Sequence, residues 1–167
     1  MPTIHLAIDV DAPQSRCFDL ARCVEFHTRS MSRSGERAVA GVTNGLLSLN
    51  DQVTWEARHF GIRQRLTSRI TAFDAPHLFV DEQVAGAFKR FRHEHRFEQL
   101  APSRTRISDA FEFESPFGPL GTVANALILS RHMTRLLTAH QHHLKSALES
   151  TVWRDFLPHC DVAQAPD

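Results

Sequence analysis

The chain opens on a strict two-residue alternation. In "TIHLAIDVDAP", Ile4, Leu6, Ile8 and Val10 fall on one side and His5, Ala7 and Asp9 on the other, which predicts a first strand with one buried face. The period then lengthens. Over "DAPQSRCFDLARCVEFHTRS" the apolar residues Cys17, Phe18, Leu20, Ala21 and Val24 recur at helical spacing, with Pro13 suited to a first turn and Asp11 placed as a cap. One or two short helices ending near His27 follow from this. From Gly35 to Pro116 the alternation returns. "DQVTWEARHF" sets Val53, Trp55, Ala57 and His59 against Thr54, Glu56 and Arg58. "IRQRLTSRITAF" sets Ile62, Gln64, Leu66, Ser68 and Ile70 inward and Arg63, Arg65, Thr67 and Arg69 outward. "HLFVDEQVAG" and "FKRFRHEHRFE" come next, then "RTRISDAFEFES" with Ile107, Asp109, Phe111 and Phe113 inward. The short breaks between these runs predict hairpins of an antiparallel meander. Its apolar face needs a cover and its charged face does not. After "SPFGPLGT" a long helix is predicted over residues 120–150, with Val123, Leu127, Met133, Leu137, Leu144 and Leu148 marking its apolar side.

This order of elements is α+β: a curved antiparallel sheet of about seven strands wrapped around a long C-terminal helix, with short helices after the first strand. A sheet curved in this way grips the helix along its concave face and leaves a gap lined by inward strand residues and the helix. Residues 1–150 are expected to form a single ligand-binding domain that grips this helix, and 151–167 a polar C-terminal extension, partly disordered.

Composition narrows the function. Lys plus Arg and Asp plus Glu are 19 each, so no field of one sign covers the molecule, and nucleic acid is not an expected partner. Cys17, Cys23 and Cys160 are scattered without a CxxC, which fits a reducing cytoplasm better than a disulfide framework. No signal peptide is visible and no apolar run is long enough for a transmembrane segment, so the expectation is a soluble cytoplasmic protein, monomer or homodimer. With no Tyr in the chain, chemistry that needs a phenol has no side chain to supply it.

The opening "IDVDAP", the long stretch from "GVTNGLLSLNDQVTWEARHF" through "FKRFRHEHRFE", and "FESPFGPLGTVAN" resemble the START-like, helix-grip superfamily, also called SRPBCC. The resemblance runs from about residue 3 to residue 150 and is to a bacterial polyketide cyclase/dehydrase and lipid-transport-like subgroup. It implies the fold. For function it implies a range, from lipid carriers to cyclases, and no catalytic motif that transfers residue by residue.

Within "FKRFRHEHRFE", strand period two puts His93 and His95 on the face of Phe91 and Phe97. A simple hairpin register sets Phe97 opposite Ile107, His95 opposite Asp109 and His93 opposite Phe111, and a one-step slip sets His93 opposite Asp109 instead. Asp109 would then orient an imidazole and raise its pKa. Three readings stay open: a buried polar pair satisfying itself, recognition of a ligand's polar end, and general acid/base catalysis by His93, His95 or Asp109. H-x-H with His59 or Asp109 as a third ligand suggests a metal, but in a chain with 11 His the pattern is weak, and neither a metal nor a cofactor is expected. "HQHH" at 140–143 reads as a solvated face near a helix C-terminus.

The expected ligand wall is Trp55, Gln64, Leu66, Phe91, His93, His95, Phe97, Asp109 and Phe111 from the strands, with Leu127, Met133 and Leu137 from the helix. Polar residues including Gln64 and Ser68 among the inward positions are many for a dry core. Asp81 joins them if Ala85–Gly86–Ala87 makes a three-residue loop, facing Phe91; a two-residue turn puts Glu82 inside instead. Leu46, Leu47 and Leu49, between turn signals, are candidates for a cavity entrance. The arginines at 63, 65, 69, 90, 92 and 96 read as cross-strand ion pairs of the outer face. The leading expectation is a binder of a hydrophobic small molecule such as a lipid, isoprenoid or aromatic polyketide. The alternatives are a cyclase or dehydratase using a cavity histidine, and a protein–protein adaptor with a vestigial cavity.

Overall fold

The computed structural model describes residues 2–32, 35–59, 61–114 and 122–157, without the side chains of residue 59 and residues 122–126. The expectations placed on Val123, His59 and Cys160 therefore lie outside what is described. The strands are β1 (Thr3–Val10), β2 (Arg37–Gly41), β3 (Gln52–His59), β4 (Ile62–Asp74), β5 (Leu78–Ala85), β6 (Arg90–Ala101) and β7 (Arg104–Glu114). They form one seven-stranded sheet in the order β1-β7-β6-β5-β4-β3-β2. Every pairing is antiparallel. The helices are α1 (Gln14–Ala21), α2 (Val24–Ser30) and α3 (Thr122–Leu148). A short 3-10 turn, Val152–Asp155, follows.

The topology explains how the sheet acquires an inside. β2 to β7 are successive hairpins, but β1 pairs with β7. The segment from β1 to β2 must therefore cross the sheet from one edge to the other, and α1 and α2 are that crossing. α3 lies against β1, α1 and α2. α1 starts without the expected Asp11 cap: Pro13 is its N-cap residue and makes no side-chain cap hydrogen bond. The Asp11 backbone N–H donates to Glu149 instead, tying the strand exit to the end of α3.

The apolar residues gather in two clusters. One, at the end of α3 and under α1, includes Phe18, Phe79, Phe97, Ile107, Leu144 and Trp153. The other holds Ile4, Phe91, Phe111, Phe113 and Leu137. β6 contributes Phe97 to the first and Phe91 to the second, so His93 and His95 stand between them. Trp153 and Leu157 are buried in the first cluster, so packing continues past the end of α3.

The outer face carries the expected cross-strand ion pairs at Glu56, whereas the pairs at Glu94 are made within β6. Glu56 receives Arg37 at 2.6 Å and Arg65 at 3.0 Å, and Glu94 receives Arg92 and Arg96 at 2.8 and 2.7 Å. No helix among the described residues is long and apolar enough to cross a membrane.

On α3 the expected stripe is only partly the buried one. Leu137, Leu144 and Leu148 are buried, whereas Leu127 is 67% exposed. The step of ten positions from Leu127 to Leu137 amounts to a turn of about 80° away from the buried face at the α-helical repeat.

Candidate functional site

A cavity of about 410 Å³ lies between the concave sheet and the helices. Of the expected wall residues, Trp55, Gln64, Leu66, Asp81, Phe91, His93, His95, Phe111, Met133 and Leu137 line it. Leu47 lines it as well, beside Val24, His27 and Met31. Leu46 and Leu49 do not: Leu46 is held in a bridge with Cys23, and Leu49 is half exposed. Leu127 is also off the wall, for the reason of helical phase given above. Phe97 belongs to the core, edge-on to Phe18 at 5.5 Å between ring centroids and stacked on Phe79 at 6.0 Å.

The polar wall is built by strand register. β6 and β7 pair Phe97 with Ile107, His95 with Asp109 and His93 with Phe111, as the hairpin reading expects. β5 and β6 pair Asp81 with His93, not with Phe91, because the connection is longer than a three-residue loop. The inward parity of Asp81 is unchanged by this shift of two. Two imidazoles, 3.8 Å apart between centroids, thus sit between two carboxylates.

Both rings turn one nitrogen towards the same oxygen, Asp109 Oδ1: His93 Nε2 at 3.2 Å and His95 Nδ1 at 2.8 Å. His95 Nε2 lies 3.3 Å from Asp81 Oδ1. His93 Nδ1 is 3.8 Å from that same Asp81 oxygen, beyond hydrogen-bond distance. Carboxylates accept, so His93 Nε2 and His95 Nε2, the two nitrogens in hydrogen-bond geometry, donate, and the 2.8 Å ion-pair contact of His95 Nδ1 with Asp109 favours an imidazolium. His93, with Nε2 donating, keeps Nδ1 on the side of Asp81. The electrostatics agree. Burial works against charge on His95, but the bonds to Asp109 and Asp81 outweigh it and raise its pKa to about 9. Burial, with the neighbouring His95, lowers the pKa of His93. Burial alone would raise Asp109, yet the two histidines hold it well below the ordinary carboxylate value. Burial works on Asp81 in the same direction, and the same two histidines, His95 first, overcome it and lower its pKa.

Asp109 does not line the cavity. It stands behind the rings, 6% exposed, with its second oxygen receiving Gln141 Nε2 of α3 at 2.5 Å. Gln141 is thus a part of the site that the reading of "HQHH" as a solvated face misses. That reading holds for His142 and His143, which are exposed, and is corrected for His140 and Gln141, which are both buried. α3 runs on to Leu148, so these residues are two turns inside the helix. The signal is in the spacing, since His140 is three residues after Leu137 and four before Leu144. His140 also lines the cavity, with Nδ1 2.7 Å from Ser30 Oγ, and burial pushes its pKa well below the usual histidine value.

Asp81, His93 and His95 bring three ligand-type atoms within 4.8 Å of one another. A zinc-type ion fits this donor set only if His95 surrenders the proton that Asp81 holds. As it stands, the arrangement presents acceptors to the cavity and keeps a neutral imidazole poised beside it.

The fold and this cavity define a helix-grip protein of the START-like kind. The chain belongs to the family described as polyketide cyclase / dehydrase and lipid transport, which matches residues 1–149. It is similar in structure to the ZhuI aromatase/cyclase of a Streptomyces species, at 14% identity and a TM-score of 0.73, covering 98% of this chain and 99% of that one. A protein of Thermus thermophilus aligns at 17% identity and a TM-score of 0.72, over 88% of this chain and 97% of that one. A START superfamily protein of Mycobacterium smegmatis aligns at 14% and 0.58, over 90% and 96%. At these identities the likeness is one of fold. No curated protein matches the chain.

Proposed function

We propose that the protein binds a hydrophobic or amphipathic small molecule, of lipid, isoprenoid or aromatic polyketide type, between the sheet and α3. The observation that carries this is the make-up of the cavity. Trp55, Leu66, Phe91, Phe111, Met133 and Leu137 give it apolar walls, and Asp81, His93 and His95 give one side a polar patch. Apolar walls with a few convergent polar groups, in a space of a few hundred Å³, are the usual form of a small-molecule site. The family description, which joins cyclases with lipid transport, supports the same class of ligand. Native mass spectrometry of the purified protein, followed by solvent extraction, tests it: a co-purifying hydrophobic molecule is the expected result. Absence of any such molecule, together with failure to take up hydrophobic fluorescent probes, counts against it.

A second reading, a cyclase or dehydratase, rests on His93. His93 lines the cavity with Nδ1 unbonded on the side of Asp81, while Nε2–H is held by Asp109, which in turn is held by Gln141. A base oriented from behind in this way can take a proton from a carbon next to a ketone and return it to a departing hydroxyl. Turnover of a poly-ketone substrate that is lost in His93→Ala, with a rate falling as pH drops through the lowered pKa of His93, is the expected signature. Turnover that survives His93→Ala removes the residue from the mechanism.

A further inference from the structure

The protonation pattern of the polar wall says which ligands the cavity should accept. His95 has both nitrogens engaged by carboxylates, and His93 Nε2–H is spent on Asp109. Within this patch the uncommitted pair is two acceptors, His93 Nδ1 and Asp81 Oδ1, 3.8 Å apart, while Trp55, Gln64 and Ser68 line the same cavity with groups that can donate. Two carboxylates against one imidazolium also leave the group with a formal excess of one negative charge. The arginines that reach the cavity wall, Arg22 and Arg65, are engaged elsewhere: Arg22 donates to Asp19 and to the Leu47 carbonyl, and Arg65 donates to Glu56.

We propose that the cavity takes a ligand through a hydrogen-bond donor at its polar end, an ammonium, phenol or alcohol, and discriminates against a carboxylate of the same size. This rests on the cavity-binding reading above and deepens it. An ammonium can donate to both acceptors and neutralises the excess charge. A hydroxyl donates to one of them. A carboxylate brings only acceptors and a second negative charge to a wall that already has both, and a buried acceptor facing another acceptor is left unsatisfied. At the His93–Asp81 patch a fatty-acid anion is therefore a poorer partner than a phenol, long-chain alcohol or amine.

The test is a calorimetric or fluorescence-displacement titration at neutral pH with four probes of one shape: naphthylmethylamine, naphthol, naphthalene and naphthoate. The expected result is that the amine and the alcohol each bind about tenfold or more tightly than naphthoate, and more tightly than naphthalene, the size of effect a charge-assisted hydrogen bond produces. In Asp81→Asn the penalty on naphthoate should shrink, and should that variant fail to fold the four-probe series still decides the matter. Naphthoate binding as well as naphthol overturns the inference while leaving the cavity reading intact. So does naphthalene binding as well as naphthol, because no donor is then being recognised. An affinity abolished by EDTA overturns it too, since a bound cation would be the recognising group. If none of the four probes binds, the cavity reading fails and takes the inference with it.

Discussion

Gln141 illustrates how far a site can depend on a residue with no chemistry of its own. Its amide donates to the second oxygen of a buried carboxylate whose first oxygen two imidazoles share. Gln141→Leu removes that donor and leaves an Asp109 oxygen buried without it, which should cost about 1–3 kcal/mol of stability; urea denaturation measures this. His95 makes a stability statement of its own. Its pKa is raised from 6.5 to about 9 on folding. A raised pKa stabilises the fold fully below the unfolded value, and that contribution fades as pH climbs through the folded one. The melting temperature should therefore fall between about pH 7 and pH 10, and His95→Gln, which cannot titrate there, should flatten the slope. A slope equally steep in wild type and variant would show that His95 is not held as an imidazolium.

At the scale of elements, strand period is the legible part. The inward parity of Gln64, Leu66, Ser68, His93, His95 and Asp109 follows from alternation alone. The β6–β7 register needs the loop as well, and the simple hairpin reading of its short connection is the one found. The β5–β6 register differs by two residues from the simple loop because loop length is not encoded in the alternation, and this exchanges Phe91 for His93 as the partner of Asp81. α3 is harder. A strand has two faces, but a helix offers a continuum of phase. A stripe drawn through Leu127 swings it away from Leu137 and Leu144, the true contact line, on which His140 also lies. Histidine and glutamine among apolar neighbours read as a solvated face because their partners, Ser30 and Asp109, come from distant parts of the chain. Edge geometry has its own demand. Gly41 ends β2 with φ +74°, and a Cβ there would run into the Gln52 carbonyl of β3. Gly41→Ala should destabilise the protein by about 1–3 kcal/mol, read from chemical denaturation. A neutral effect would mean that the β2 edge contributes little to the fold.

Over the whole molecule, the crossing from β1 to β2 and the grip on α3 produce the cavity, and two apolar clusters bracket the polar centre on its wall. The family and the fold fix this architecture; they do not fix the ligand. The central claim is that a hydrophobic molecule occupies the space with its polar end against His93 and Asp81. NMR of the histidine rings and methionine methyls during titration with naphthol tests it most directly. The predicted result is saturable shifts in the His93 and His95 ring signals and in the Met133 methyl, with the outer-face residues unmoved. Saturable binding that leaves those three signals where they were would contradict it.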